Sequence, residues 1–232
     1  MSEREETSDH ALTMQWAEEL LGRPNVFRPW FPQDKFVTAV RTPGSLACTR
    51  EDKGLFGFGL GSNPEINPAW THFSLPTSLP REVTNNFPLK GKWSGYSIAT
   101  QLCADEQPVE ELIDTTGVEE LLKVHAPDSS TYPGHPEVIF WAGIRSDNGE
   151  LLAVATVVRW ESGAKMISSV ATRQDVRGQG LAQKLIKGIV KMSHDRGIDR
   201  LNLAVFTENL PARAVYEKVG FICMGDFLYF ER

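Results

Sequence analysis

The sequence predicts an α/β protein built on a mixed β-sheet, and three observations carry that prediction. Residues 138–145, 151–160 and 165–172 are rich in β-branched and aromatic side chains. They are separated by the turn signals Asp147-Asn148-Gly149 and Glu161-Ser162-Gly163, so they form an antiparallel three-stranded meander. Residues 180–194 then carry helical periodicity. Leu181, Leu185 and Ile189 recur every four residues, as do Ala182, Ile186 and Val190, with Lys184, Lys187 and Lys191 opposite. A strand follows at 201–206. A strand–helix–strand step of this kind is a crossover, which adds a parallel pairing to the antiparallel ones.

The flanking elements follow the same rules. Gly197 lies just past the long helix, where a left-handed cap is common. Residues 211–219 read as a second helix closed by Gly220, and residues 221–230 as one kinked strand or two short ones. Upstream, residues 126–137 hold three prolines and a glycine and form a loop. Residues 109–124 have helical spacing with a break near Thr115–Gly117. Residues 23–95 are rich in Pro, Gly and aromatics, with short strands expected at 36–40, 46–49 and 54–59. Residues 10–21 read as an amphipathic helix with Leu12, Trp16, Leu20 and Leu21 on one side. The first nine residues, acidic and polar, are expected to be a disordered tail. The resulting division is an α+β extension over 1–95 and an α/β domain over 96–232, with no internal repeat legible.

Composition excludes several classes. The chain has 232 residues, 41% of them hydrophobic, enough for a sizeable core. No stretch approaches the roughly 20 apolar residues that a membrane span needs. Cys48, Cys103 and Cys223 are odd in number and form no Cys-x-x-Cys pair, and the five histidines do not cluster. Neither a disulfide framework nor a metal site is expected. Free thiols and a start unlike a secretory or transit signal point to the cytoplasm. The net charge is −6, divided between −8 over residues 1–136 and +2 over residues 137–232. An acidic chain is a poor nucleic-acid binder. The basic portion suits an anionic co-substrate and the acidic portion a cationic acceptor, although ordinary solvated surface charge accounts for the same numbers.

One segment carries chemistry. Arg177-Gly178-Gln179-Gly180-Leu181-Ala182 lies between the third strand and the long helix. Glycines let the backbone turn sharply and approach a ligand closely. The first helical turn offers unpaired N–H groups and the positive end of the helix dipole, which suit a pyrophosphate. Taken alone, such a turn equally serves to connect two elements.

Arg177-x-x-Gly180-x-Ala182 resembles the Arg/Gln-x-x-Gly-x-Gly/Ala signature of the GNAT superfamily of acetyl-CoA-dependent acyltransferases. Asn209-x-x-Ala212-x-x-x-Tyr216-x-x-x-Gly220-Phe221 is similar to that superfamily's second signature, at the expected separation. The resemblance covers roughly residues 137–232 and leaves the first hundred residues unrecognised. It implies a GNAT-like fold and transfer of an acetyl group from acetyl-CoA to a primary amine, by direct attack in one ternary complex without a metal. It further implies that backbone N–H groups of Gly178, Gln179, Gly180, Leu181 and Ala182 hold the pyrophosphate, with Arg177 adding charge. The stretch Val170-Ala171-Thr172 would pair with the pantetheine arm. An N–H of Val170 or Ala171 would polarise the thioester carbonyl. Asn209 would bond the cofactor arm or simply cap a helix. Tyr216 would protonate the departing thiolate, or be a buried core tyrosine.

The chain also departs from the family pattern. Many relatives carry a glutamate on the strand before the Arg/Gly motif as a base. Here that strand reads Lys165-Met166-Ile167-Ser168-Ser169-Val170-Ala171-Thr172, with no carboxylate. Glu161 in the preceding turn is the nearest upstream acid and the candidate base. Glu208, His125, His135 and water are alternatives. Ser168 and Ser169 are expected to make local hydrogen bonds rather than act as nucleophiles, since no Ser/His/Asp arrangement is readable. A second departure is Gln174 where a proline is usual. The third is a tail of only twelve residues from Phe221. The extension over 1–95 is then either a decayed copy of the same fold or a region that covers a sheet edge, shapes the acceptor site or joins a second subunit. The expected acceptor is a small cationic amine, with a peptide or protein amine as the alternative. A CoA-binding module without catalysis and an enzyme acetylating charged tRNA are the rival readings.

Overall fold

A computed structural model describes residues 4–22, 27–160 and 162–232. The chain divides into two units. One holds the residues up to Gly95 together with Ala204–Asn209 and Cys223–Arg232; the other holds Tyr96–Leu203 and Leu210–Ile222. In chain order the first elements are β1 (Glu5–Thr7), α1 (His10–Leu21), β2 (Phe36–Thr42), β3 (Ser45–Glu51), β4 (Leu55–Gly61), β5 (His72–Pro76), α2 (Arg81–Thr84) and β6 (Leu89–Ala99). They are followed by β7 (Glu110–Glu111), α3 (Val118–His125), β8 (Val138–Arg145), β9 (Leu151–Arg159), β10 (Lys165–Thr172), α4 (Leu181–Asp195), β11 (Arg200–Phe206), α5 (Leu210–Val219) and β12 (Ile222–Glu231). Helices and a mixed sheet together confirm the α/β expectation.

In the first unit the acidic N-terminus is ordered over residues 5–7, contrary to the expected tail. Glu5, Glu6 and Thr7 pair antiparallel with Arg41, Val40 and Ala39 of β2, so backbone ladder bonds outweigh the polar composition. Asp9 caps α1, accepting the Leu12 N–H at 3.0 Å. The helix ends at Gly22 in the left-handed region, φ 64°. Its buried face is Thr13, Met14, Trp16 and Ala17, not the Leu12, Leu20 and Leu21 stripe. A threonine is tolerated inside because its hydroxyl donates to the Asp9 carbonyl at 2.8 Å. Strands β2, β3 and β4 form an antiparallel meander, β5 runs parallel to β4, and β12 runs antiparallel to β5. The core gathers Ala47, Trp70, Phe73, Leu75, Leu79 and Phe230. Trp70 lies flat against Gly57, and its indole N–H donates to Thr49 Oγ1 at 2.8 Å.

In the second unit the strand order is β11-β10-β9-β8-β7. The antiparallel meander is as expected, and its registers set Phe140 opposite Val157 and Val157 opposite Ile167. Strand β10 meets β11 in parallel, which completes the mixed sheet. The helix expected over 109–124 is a correction. Residues 110–111 form β7 instead, and the Leu112 N–H bonds the Trp141 carbonyl at 2.9 Å. Asp114 folds the chain back by accepting from both the N–H and the hydroxyl of Thr116. Gly117, φ 82°, then opens the shorter α3. Helix α4 buries Leu185, Ile186, Ile189 and Val190. It ends in a Schellman motif: Ile198 N–H bonds Ser193 O, and Gly197 N–H bonds His194 O.

Each unit, taken by itself, follows one pattern: a short strand, a helix, an antiparallel meander, then a strand parallel to the meander's last. The second unit inserts α4 before the parallel strand; the first connects β4 to β5 through residues 62–71 without a helix.

A Cβ at position 57 would stand 1.9 Å from the Trp70 ring. Gly57→Ala is expected to destabilise the first unit by about 3 kcal/mol through overpacking, measured as a drop in the urea midpoint of tryptophan fluorescence.

Candidate active site

The site is built around β10. Ser168 lies opposite Thr156 and Ala171 opposite Val154, so Ser169 and Val170 together face Ala155 alone. That is a β-bulge, with one extra residue that bends the strand. Ser169 holds φ 51°, a left-handed conformation more usual for glycine at such a place. Its hydroxyl donates to the Thr131 carbonyl at 2.7 Å and accepts the Thr131 N–H at 3.2 Å. The Thr131 and Ser168 hydroxyls lie 3.1 Å apart. Both serines therefore bond a loop residue distant in sequence, 37 and 38 positions upstream, and not a local one. These contacts dock the loop 126–137 against the bulge.

On its other edge, β10 pairs in parallel with β11, with Met166 opposite Asn202. Asn202 is buried at the junction. Its Nδ2 donates weakly to the Lys165 carbonyl at 3.4 Å, and its Oδ1 has no hydrogen-bond partner among the described residues. Sequence reasoning missed this residue. The available signal was one amide between the buried Leu201 and Leu203.

Past β10 the chain turns through Gly178, φ 81°, and Gly180, φ 78°, into α4. Gly180 is the N-cap, and no side chain caps the helix. The first N–H groups of α4 are thus available to an anion. Gly178, Gln179 and Gly180 are exposed, and Leu181 and Ala182 are half-buried. A Cβ at either glycine would meet nothing within 4 Å, so conformation and not space demands glycine here. Arg177 spans two elements. Its Nε donates to the Thr172 carbonyl at 3.2 Å and its Nη2 to the His125 carbonyl at 3.1 Å. The cation so placed also faces the negative end of α3.

Asn209 immediately precedes α5. Tyr216, within α5, is buried, its ring centroid 6.1 Å from Tyr96 and 5.8 Å from Phe221. Burial pushes its phenol up to about 12. No hydrogen bond engages its hydroxyl among the described residues. The Tyr96 hydroxyl, by contrast, donates to Glu217 at 2.8 Å and accepts from Arg213 at 3.1 Å. Of the base candidates, Glu161 lies outside the described residues. Glu208 and His135 are exposed, His125 is half-buried, and β10 carries no carboxylate. Among the described residues no group of three or more His, Cys, Asp or Glu could hold a metal, and no helix is long and apolar enough to cross a membrane. A cavity of about 210 Å³ opens in the first unit, lined by Trp16, Glu19, Arg41 and Leu46 among others; it contains none of the motif residues.

The raised phenol gives a pH signature. Tyr216 is about 12 in the fold against roughly 10 when unfolded. Its contribution to stability is present below pH 10 and is lost as the pH rises through 12. Tyr229 is likewise pushed up to about 12, by burial and by its bond to Glu231. Tyr216→Phe is expected to remove one of two late tyrosinate transitions near pH 12 and to flatten the alkaline loss of stability. Absorbance at an alkaline tyrosinate band, with melting curves in the same buffers, checks both.

Comparison with known proteins agrees with this geometry. The family model described as "Acetyltransferase (GNAT) family" matches residues 107–221. No curated protein matches the chain by sequence. Among solved structures, a GCN5-related N-acetyltransferase from Sphaerobacter thermophilus is 14% identical, covering 99% of this chain and 95% of its own, with a TM-score of 0.52. An acetyltransferase assigned to the GNAT family, from Novosphingobium aromaticivorans, is 17% identical, covering 96% and 97%, with a TM-score of 0.51. At such identity these two share the fold, over both units. Residues 107–221 are a domain of the acetyltransferase (GNAT) family.

Proposed function

We propose that the chain transfers an acetyl group from acetyl-CoA to a primary amine by direct attack in one ternary complex. The observation that carries this reading is the bulge in β10 followed by a glycine turn into an uncapped helix N-terminus at Gly180. A strand-like pantetheine arm fits beside Val170, Ala171 and Thr172. A pyrophosphate fits the N–H groups of Gly178 to Ala182, with Arg177 nearby and Asn209 bonding the arm.

In the reaction the amine nitrogen forms the new C–N bond as the C–S bond breaks. Negative charge developing on the thioester oxygen would be met by an N–H of the bulge, Val170 or Ala171. Tyr216 would give its proton to the departing sulfur. Its raised pKa keeps it protonated at every working pH. Against a thiol of roughly 8.5 that transfer is uphill, and the proton released by the amine would restore the phenol. The proton lost by the amine would go to Glu161, Glu208, His125, His135 or solvent. The acidic residues 1–136, net −8, favour a small cationic acceptor, with a peptide amine as the alternative. The free cysteines suit a cytoplasmic setting. A CoA-binding module without catalysis is favoured by one fact, the absence of a carboxylate on β10.

We further read the first unit as a copy of the same fold without a cofactor site. The parallel order of elements supports this. So does the space over Gly59, where a Cβ would meet Pro64 at 2.6 Å and Leu75 at 2.8 Å. Side chains fill the place beside β4 that a slot would need.

Calorimetric titration with acetyl-CoA is expected to give one site per chain, with a Kd on the order of micromolar, lost in Gly180→Asp. Two sites would overturn the reading of the first unit, and no binding would overturn the proposed function. Tyr216→Phe should leave that affinity intact and lower turnover by about 10²–10⁴, measured as thiol release with an amine panel. A loss of affinity instead would make the tyrosine structural.

A further inference from the structure

We infer that Ser169 is a positioning residue for acyl transfer: its hydroxyl clamp on Thr131 holds the β10 bulge in the conformation that aims the Val170 and Ala171 N–H groups. The inference rests on the proposed acetyl-CoA site. Its own support is local. Among the described non-glycine residues only Lys53 and Ser169 have positive φ, and Lys53 lies in the turn between β3 and β4, outside the strands. Ser169 sits within a strand and is buried, as is Thr131. Its hydroxyl both donates to the Thr131 carbonyl and accepts the Thr131 N–H. A neighbouring backbone would supply the same pair of bonds, so the side chain replaces a strand partner where the bulge breaks the ladder. The next hydroxyl back, Ser168, holds the Thr131 side chain at 3.1 Å. One residue of the loop 126–137 is therefore gripped by both its backbone and its side chain.

The direction of the Val170 N–H follows from the dihedrals just before it. Once the clamp is gone the residue is free to leave positive φ, a serine or alanine because that region is costly and a glycine because it has no preference, and either movement rotates the peptide plane that follows. The pyrophosphate cradle at Gly178–Ala182 lies beyond the end of β10 and does not depend on that plane. The hydroxyl should therefore govern the thioester carbonyl while leaving the rest of the co-substrate's grip intact.

The test uses acetyl-CoA labelled with ¹³C at the carbonyl and needs no acceptor. Infrared difference spectra of the full chain should show the bound carbonyl stretch shifted to lower wavenumber than in free acetyl-CoA. Ser169→Gly tolerates positive φ but removes the hydroxyl. It should return the band most of the way to the free value while the calorimetric Kd for CoA changes by less than about threefold. Ser169→Ala, which also lacks the hydroxyl, should do the same. A band that stays shifted in both variants overturns the inference. Loss of CoA binding in both also overturns it, because the hydroxyl would then support the whole unit. Failure of the wild-type chain to bind CoA is a different result and removes the proposed function itself.

Discussion

The bulge in β10 is the constraint on which the second unit's candidate site depends. Ser169 and Val170 stand opposite Ala155 alone, so backbone groups there fall out of the regular ladder. Buried backbone groups without partners are costly, so such a bulge persists only where something else holds the strand. Here β9 holds β10 on both sides of it, and the Ser169 hydroxyl bonds the backbone of Thr131. Helix α4, with Leu185, Ile186, Ile189 and Val190 buried, carries the chain on from β10 to β11.

The Gly178–Gly180 turn is set by direction more than by room. Both glycines sit in the left-handed region with open space around the missing Cβ. Any other residue would still form the connection at a conformational cost on the order of 1–2 kcal/mol. What the glycines supply is the angle at which β10 delivers the chain into α4, so that uncapped N–H groups point out of the protein. Arg177, tied to the Thr172 and His125 carbonyls, fixes the stretch just before it.

Legibility in the sequence followed the strength of the local signal. Strands β8, β9 and β10 and helices α4 and α5 were readable because long apolar periods and Gly-containing turns coincide there. The α1 face is hidden from the sequence because Thr13, a polar residue, is buried through a bond to its own N-cap carbonyl, which no hydropathy pattern reveals. Strand β7 is hidden because two residues carry no period, and its ladder partner in β8 lies about thirty positions away. At the candidate site, the Gly178–Gly180 turn announced itself through its glycines. The bulge did not, because its left-handed position holds a serine. Asn202 was equally silent, since its burial is set by a strand pairing and not by its neighbours in sequence.

The serine at the bulge is intelligible once its terms are compared. A non-glycine residue in the left-handed region costs about 1–2 kcal/mol. Two buried neutral hydrogen bonds return about 0.5–1.5 kcal/mol each, so the conformation and the clamp roughly offset one another. Glycine would remove the first term and lose the second, leaving the N–H and carbonyl of Thr131 without these partners in a buried position. A serine is therefore near neutral for stability, yet it couples the strand to the loop, which glycine does not. The loop 126–137 has no helix or strand of its own, and its three prolines limit the backbone donors it has to offer. Its anchorage thus falls on side chains such as Ser168 and Ser169, placed by β10 at the point where that strand leaves the regular sheet.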